Sequence, residues 1–395
     1  MMSEPARILL VSNGFGEMAI LETIAKAIAA REPSASLAHM PLVGRLNDDA
    51  WPPPVGPQAA MPSGGLVTYW NVPNIVRDVG AGLIGLSLSQ FAFLSRQRRS
   101  YDAVVAVGDA YCAAACMWFA RLPAVVVATA KSERVAPHSW VERRILRGAC
   151  VTFARDEPTA RELMRGGVRA CYAGNAMMDQ VAAPEFALPI AEGAIHVALL
   201  PGSRSDAPQN TRAAARRLLR MSALSGKRVQ AFLALAPAAD TAAIIGALKV
   251  EGFDVTVYRH VKGVMAIALR DAVEIGLVRS GLAASIGAAD VVLGQAGTGN
   301  EQAAGLGKPV VAAAAPGESP QSVGWYRMRQ QKLLGEALVV LQGDDDAFAR
   351  DVLTLLADRE RVAAMGAAGR ERMGVPGASD AIAQAVLDVA KEGRS

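Results

Sequence analysis

The stretch ADVVLGQAGTGNEQAAGLGKPVV, residues 289–311, decides the fold of this chain. It begins with a short, valine-rich run that is typical of a buried parallel strand. The glycines that follow turn the chain, and Thr298 or Asn300 can begin a helix whose first N–H groups face outward. Pro309 and the valines after it begin the next strand. A strand, a turn of small residues and a short helix form a place for a phosphate-bearing ligand.

One acid stands in the first turn of this predicted helix. A phosphate repels the Glu301 carboxylate unless that side chain reaches past the phosphate to hydroxyl groups, such as those of a ribose. We therefore expect the turn and the helix to bind a nucleotide. The candidate residues are Gly297, Thr298, Gly299, Asn300, Glu301 and Gln302.

Length and composition fit a globular protein of two domains. The chain has 395 residues, of which 52% are hydrophobic and 20% are charged. Its net charge of +4 suits acidic ligands or an anionic membrane surface and is too small to indicate nucleic acid. The four cysteines follow no zinc spacing, and a reducing cytosol fits them best. Cys112 and Cys116 stand four residues apart in an alanine-rich helical stretch and are interpreted as buried free thiols. We therefore expect a cytoplasmic protein.

The first half of the chain has the pattern of a Rossmann-like domain. Residues 7–12 form a buried strand and residues 18–31 form an apolar helix. The turn between them contains Gly14, Phe15 and Gly16 but lacks the full dinucleotide fingerprint.

Two acids follow strands of this half. Glu17 closes the first turn, and Asp109 ends a strand at residues 103–109. Open α/β sheets bind ligands at the carboxyl ends of their strands, so both acids are candidates for chemistry. A solvated acid at the start of a helix stays open as the alternative for Glu17.

An uncharged apolar stretch covers residues 79–95 and is followed by Arg96, Arg98 and Arg99. At 17 residues it is too short for a convincing membrane span. A hydrophobic helix that ends in arginines could dip into the headgroup layer of an anionic membrane. The alternative is a core helix with a solvated basic end.

A second series of strands and helices starts at residues 195–200. Its first turn contains Gly202, Ser203 and Arg204; the small residues permit close backbone approach, and arginine can pair with a phosphate in bidentate fashion. An ordinary turn is the alternative. The glycine-rich site around Gly297 in the same half favours a phosphate site.

The pattern divides the chain into four parts. Residues 1–176 form the first Rossmann-like domain, residues 177–193 an irregular linker and residues 194–375 the second such domain. Residues 376–395 form a terminal helix that could pack back on the first domain. We thus predict an α/β protein of GT-B architecture, in which two parallel sheets face each other across a cleft.

Several segments resemble lipid-A-disaccharide synthase. They are LLPGSR at 199–204, GNAMMD at 174–179, the helix from Gly297 to Glu301, the Gly16-Glu17 pair and VGDA at 107–110. These segments occur in the same order as in the family, and together they extend over most of the chain. The family's usual GEASGD opening is replaced by SNGFGE at 12–17, and YCAA at 111–114 replaces the PDFN after its catalytic acid. The chain is therefore most similar to the divergent group called lipid-A-disaccharide-synthase-related proteins.

The resemblance implies an inverting glycosyltransferase that moves a sugar from a UDP-sugar, such as UDP-GlcNAc or a relative, to a lipid or glycolipid acceptor. The first domain would bind the acceptor, with Asp109 or Glu17 as general base. The second domain would bind the donor, with Arg204 on the phosphates and Glu301 on the ribose. No cofactor and no metal are expected, since no DxD-like acid pair stands near the donor site. A peripheral position on the inner face of the cytoplasmic membrane is expected, and a homo-oligomer stays open.

Two other functions stay open at this point. A UDP-sugar 2-epimerase has the same two-domain plan but needs more acids and histidines around the sugar. The four histidines of this chain stand away from the glycine-rich donor turns, which favours transfer. A non-catalytic protein that binds a nucleotide sugar is the second alternative.

Overall fold

The computed structural model describes residues 4–59, 79–80, 82–202, 206–237, 239–258, 260–313 and 325–393. The chain forms two compact units. Unit 1 contains Met1–Gln180 and Pro376–Ser395, and unit 2 contains Val181–Val375. No helix within the described ranges is long and apolar enough to cross a bilayer.

Unit 1 is built on a sheet of six parallel strands in the order β2-β1-β3-β4-β5-β6. The strands are β1 (Arg7–Ser12), β2 (Ser36–Pro41), β3 (Ala103–Gly108), β4 (Ala124–Ala128), β5 (Val151–Ala154) and β6 (Ala170–Cys171). β1, β3 and β4 are almost entirely buried, which explains their continuous Val, Leu and Ala runs. β6 has only two residues, and β2 was not predicted.

Helices cover both faces of this sheet. They are α1 (Phe15–Arg31), α2 (Leu83–Arg96), α3 (Ala110–Ala115), α4 (Trp140–Leu146), α5 (Glu157–Arg165), α6 (Ala176–Asp179) and α14 (Ala378–Glu392). α14 packs against α1, β3 and β4. α2 packs against the π-helical turn Cys116–Ala120 that follows α3, and α3 packs against α4.

Two hydrogen bonds fix the start of α14 in unit 1. The Asp179 carboxylate accepts the backbone N–H groups of Gly377 and Ser379, the latter at 2.7 Å. The apolar side of α14, which includes Ile382 and Val386, is buried. The terminal helix is thus part of the unit 1 core.

Unit 2 contains an eight-stranded sheet in the order β14-β13-β12-β7-β8-β11-β10-β9. The strands are β7 (Ile195–Leu200), β8 (Val229–Leu235), β9 (Asp254–Val257), β10 (Val264–Arg270), β11 (Val273–Arg279), β12 (Val291–Gly294), β13 (Val310–Ala313) and β14 (Leu338–Leu341). β10 runs antiparallel to both of its neighbours, β9 and β11, while the other pairs are parallel. The sheet is therefore mostly parallel, and β10 is a strand that the sequence did not predict.

The helices of unit 2 follow the expected alternation. They are α7 (Ala207–Ser225), α8 (Thr241–Val250), α9 (Leu282–Gly287), α10 (Thr298–Gly305), α11 (Trp325–Leu334), α12 (Asp345–Ala357) and α13 (Arg359–Met373). The main core lies between the sheet and α7, α8 and α12 and contains the buried Phe348. Phe232 of β8 belongs to a second, smaller cluster with Leu188 and Val264. The predicted α/β class with two Rossmann-like domains is confirmed.

Candidate functional site

The two predicted acids of unit 1 lie at the same edge of the sheet. β1 and β3 are parallel neighbours, and Ser12 pairs with Val107, so their carboxyl ends meet. The Asn13 Nδ2 group, directly after β1, donates a hydrogen bond to the Asp109 Oδ1 atom at 2.9 Å. The same oxygen accepts the Cys112 N–H at 3.0 Å and so caps α3. Asp109 is therefore held in one orientation.

Two glycines let the Glu17 side chain approach this place. Gly14 has a φ of 147°, and a Cβ atom there would lie 2.6 Å from the Glu17 Oε2 atom. Gly108 has a φ of 148°, and a Cβ atom there would lie 3.1 Å from Asn13 Cβ and 3.7 Å from Glu17 Cγ. A larger residue at either position would have a strained backbone, and at Gly14 its Cβ atom would also meet the Glu17 carboxylate. The turn thus needs glycine because of its positive φ angles.

The buried thiol of Cys112 is affected by the negative charges of Asp109 and Glu17. The pKa of Cys112 is raised well above its usual range by its hydrogen bond with Cys116 and by burial, and the negative charges of Asp109 and Glu17 raise it further. Both carboxylates therefore act on the same atom. We call Asn13, Gly14, Glu17, Gly108 and Asp109 the carboxylate cluster.

The remaining predicted residues of the first turn lie beside this cluster. Phe15 begins α1, and its side chain lies outside the described set; Gly16 is half-buried. The sequence placed all three turn residues on the acceptor side, which stays a prediction.

A histidine–carboxylate pair follows β4, the strand next to β3. The Glu133 Oε1 atom accepts the His138 backbone N–H at 3.0 Å and lies 3.3 Å from His138 Nδ1. Beside it, Lys131 pairs with Glu142 at 2.8 Å. Burial opposes ionisation of Glu142, but hydrogen bonds from Lys131 and Ser139 lower its pKa. We predicted no role for this loop from the sequence, although its position after a buried strand was a usable signal.

The second candidate region lies in unit 2, at the carboxyl ends of β7 and β12. These strands are parallel neighbours, and the Gln295 N–H donates to the Leu200 carbonyl at 2.8 Å. The turn after β12 is thereby held beside Gly202, which has a φ of 99°. Gly297 precedes α10, and its helix start has no side-chain cap. Such a helix start suits an anionic ligand.

An amide pair that the sequence analysis missed supports this turn. The buried Gln330 on α11 donates from Nε2 to the carbonyls of Ala296 and Gly297, at 3.2 and 3.1 Å. Its Oε1 atom accepts the Asn300 Nδ2 group at 3.2 Å, and Asn300 also donates to the Gly294 carbonyl at 3.1 Å. We call Asn300 and Gln330 the amide clamp.

Arg327 adds positive charge beside the clamp. Its guanidinium donates to Gln330 Oε1 at 2.7 Å and to Gln295 Oε1. A cation next to a glycine turn and an uncapped helix start increases the attraction for a phosphate. No motif in the sequence identified Arg327.

The structure separates the predicted donor residues into two groups. Asn300 and Gln302 have buried side chains, so they support α10 from within the unit. The half-buried residues are Gly297, Thr298, Gly299 and Glu301. Ser203 and Arg204 lie outside the described residues. Their roles in binding a donor stay predictions.

The chain matches no family model and no curated protein. Solved structures similar to it over nearly the whole chain include UDP-GlcNAc 2-epimerase from Neisseria meningitidis bound to UDP-GlcNAc, at 12% identity and a TM-score of 0.55, with 97% of this chain and 100% of that chain covered. MurG from Acinetobacter baumannii is 13% identical with a TM-score of 0.55, and the match covers 97% of this chain and 100% of MurG. The glycosyltransferase SnogD from Streptomyces nogalater is 14% identical with a TM-score of 0.53, covering 98% and 99%.

These likenesses confirm the fold. At such identities they show that the chain has the GT-B architecture of two Rossmann-like domains, and they do not extend to its substrate or reaction. None of the three is a lipid-A-disaccharide synthase, so that more specific resemblance stays a hypothesis.

Proposed function

We propose that the protein is an inverting glycosyltransferase that moves a sugar from a UDP-sugar, of the UDP-GlcNAc kind, to a lipid-linked acceptor. The carboxylate cluster carries this proposal, because it combines an oriented acid with a second acid at the carboxyl edge of the unit 1 sheet. A reaction that deprotonates an acceptor hydroxyl needs such a group.

The donor would bind to unit 2. Its diphosphate would lie at the Gly297 turn and the start of α10, where N–H groups and the charge of Arg327 offset its negative charge. Arg204 would add a bidentate contact, as the sequence suggests. Glu301, in the first turn of α10, would accept the ribose hydroxyls. The amide clamp would hold the turn in its binding conformation.

The reaction follows from these assignments. Asp109 takes the proton of the acceptor hydroxyl, whose oxygen attacks the anomeric carbon of the donor sugar. The bond between that carbon and the diphosphate oxygen breaks, the configuration inverts, and UDP leaves. Asn13 acts as a positioning residue, because its hydrogen bond holds the Asp109 carboxylate. Glu17 is the second candidate for the base.

The test replaces each acid by its amide. We expect Asp109→Asn to lower kcat by about 10²–10⁴-fold with little change in the Kd for UDP, because a general base contributes about that much. Asp388→Asn, which changes an exposed acid on α14, is the matched control. UDP release from a panel of UDP-sugars with membrane lipid extracts is the measurement, repeated with EDTA to test independence from metal. Full activity of both Asp109→Asn and Glu17→Gln would refute the assignment.

A UDP-sugar 2-epimerase is the second candidate, and the Glu133–His138 pair favours it. In the loop after β4 the Glu133 carboxylate lies 3.3 Å from His138 Nδ1 and so orients an imidazole in unit 1. Epimerisation needs no acceptor, so NMR of UDP-GlcNAc with the protein alone separates the two reactions. Formation of the C2 epimer, and its loss in His138→Asn, would establish the epimerase. Binding of UDP without either reaction would indicate a non-catalytic binding protein.

A further inference from the structure

Unit 1 exposes large apolar side chains on one surface. Ile84 and Leu88 on α2 are 59% and 63% exposed, and Trp118 on the π-helical turn is 59% exposed. Tyr111, at the start of α3, is 44% exposed. We call these four residues the apolar face. Of the 14 residues of α2, Gln90 and Leu94 are the buried ones, so α2 is not the core helix that the sequence left open.

Side-chain contacts join the parts of the apolar face. The Phe91 ring of α2 stacks on the Phe119 ring at a centroid distance of 4.1 Å and an angle of 3°. The Tyr111 hydroxyl donates to Ser87 Oγ at 3.4 Å. The three elements that carry the apolar face, α2, the start of α3 and the π-helical turn, therefore adjoin one another.

Gln90 fixes α2 from beneath. Its buried Nε2 group donates to the carbonyls of Leu42 and Pro57, at 3.0 and 3.2 Å. The helix is thus anchored by polar contacts on its inner side, and its outer side is left apolar. A contiguous exposed apolar surface of this kind indicates a binding surface.

The border of the apolar face is positively charged. Four exposed arginines lie at the end of α2 and after the π-helical turn: Arg96, Arg98, Arg99 and Arg121. Two of them touch the turn directly, since Arg98 Nε donates to the Phe119 carbonyl and Arg121 Nε to the Trp118 carbonyl, each at 3.4 Å.

Acidic residues are scarce in this part of the sequence. Between residues 79 and 132 the acids are Asp102 and Asp109. Asp102 is buried and paired with Arg7 at 2.7 Å, and Asp109 belongs to the carboxylate cluster. The sequence around the arginine border is therefore rich in arginine and poor in acids. Apolar and aromatic side chains bordered by arginines match the surface of an anionic bilayer, where rings lie among the headgroups and arginines near lipid phosphates.

We propose that the apolar face docks unit 1 onto an anionic membrane surface. The inference deepens the proposed function, because it states how a lipid-linked acceptor would reach the protein. Tyr111 stands two residues after Asp109, so the apolar face reaches the strand end that carries the candidate base. α2 is too short to span a bilayer, so docking would be peripheral.

The test measures binding of the full chain to vesicles of phosphatidylcholine alone and to vesicles in which about one third of the lipid is phosphatidylglycerol. We expect binding to the anionic vesicles that weakens with salt. Leu88→Glu should lower the partition coefficient at least about tenfold, because it places a charge where an apolar side chain was buried. The matched control is Leu224→Glu, which changes an exposed leucine of α7 in unit 2 and should leave binding unchanged.

The arginines are tested separately. Each arginine near an anionic surface contributes about a fivefold gain in binding. The double variant Arg98→Gln/Arg121→Gln should therefore lose about 25-fold on anionic vesicles and little on neutral ones. Arg359→Gln/Arg361→Gln, at exposed arginines of α13, is the control for net charge.

Three outcomes would overturn the inference. They are absence of binding to anionic vesicles, equal losses in Leu88→Glu and Leu224→Glu, and a dimer that Leu88→Glu converts to a monomer without any vesicle binding. The last result would assign the apolar face to a second copy of the chain. UDP affinity, measured without vesicles, separates this result from the proposed function, since a protein that binds UDP but no vesicles refutes the docking alone.

Discussion

Replacing Gln330 by alanine tests whether the amide clamp holds the predicted donor turn. Gln330 is only 4% exposed and makes four hydrogen bonds of 2.7–3.2 Å, two of them to carbonyls of the turn. At about 1 kcal/mol per bond, the four correspond to about 4 kcal/mol. Arg327 is half-buried, so its guanidinium can bond to water instead of to residue 330. We therefore expect Gln330→Ala to lower the free energy of unfolding by about 2–3 kcal/mol.

The effect on ligand binding follows from the two bonds to the turn. If both are lost, the turn must be ordered by the ligand at a cost of up to about 2 kcal/mol. We therefore expect the Kd for UDP to rise about tenfold, which corresponds to 1.4 kcal/mol. Urea denaturation gives the stability, hydrogen exchange of β12 and α10 localises the loss, and calorimetric titration with UDP gives the Kd.

The control is Gln384→Ala, which removes an exposed glutamine of α14 with one hydrogen bond to Asp388. It should change stability by less than about 0.5 kcal/mol and leave UDP affinity unchanged. If Gln330→Ala behaved like this control, the clamp would not support the turn. If it lost stability but bound UDP normally, the turn would not be the UDP site.

Three further predictions concern other parts of the chain. Gly294→Ala should destabilise unit 2 by about 2–4 kcal/mol, because the new Cβ would lie 1.9 Å from Asn300 Oδ1. Thermal melting measures the loss. The control is Gly246→Ala, where the new Cβ meets nothing within 4 Å and helix propensity predicts a small gain in stability. Burial lowers the pKa of His39 from 6.5 to about 4, so the unfolded chain takes up the proton first as the pH falls. The contribution of neutral His39 to the free energy of unfolding is therefore fully present above pH 6.5, and up to about 3 kcal/mol is lost as the pH falls from 6.5 to 4. Denaturation across this range should show a flatter pH dependence in His39→Asn. Asp179→Ala should cost about 1–2 kcal/mol, because it removes the carboxylate that accepts two N–H groups at the start of α14, and faster amide exchange at the first turn of that helix is the readout.

The sequence predicted the buried parallel strands best. The residues expected for the first strands of the two domains, 7–12 and 195–200, are those of β1 and β7, because a strand covered on both faces is a continuous apolar run. β10 was missed. Its burial alternates between buried and partly exposed residues, and it is bulged and antiparallel to both neighbours, so it lacks the continuous run.

The sequence likewise identified some of the candidate site residues and missed others. Asp109 and Glu17 were found because the carboxyl end of a strand is marked in the sequence. Gln330 was not, since its role depends on how α11 packs against a turn more than 30 residues earlier. Trp118 was missed for a local reason. The π-helical turn Cys116–Ala120 interrupts the α-helical periodicity from which an exposed residue would be predicted.

The return of α14 to unit 1 has a consequence for the synthesis of the protein. Ile382, Val386 and Leu387 fill part of the unit 1 core, yet the ribosome makes them only after all of unit 2. Unit 2 is continuous in sequence and can therefore finish folding first, although it begins later. Until α14 emerges, the nascent first 180 residues expose the apolar surface of α1 that this helix covers. We expect these residues to need protection from aggregation during translation, and a polypeptide that stops before α14 to be recognised by chaperones.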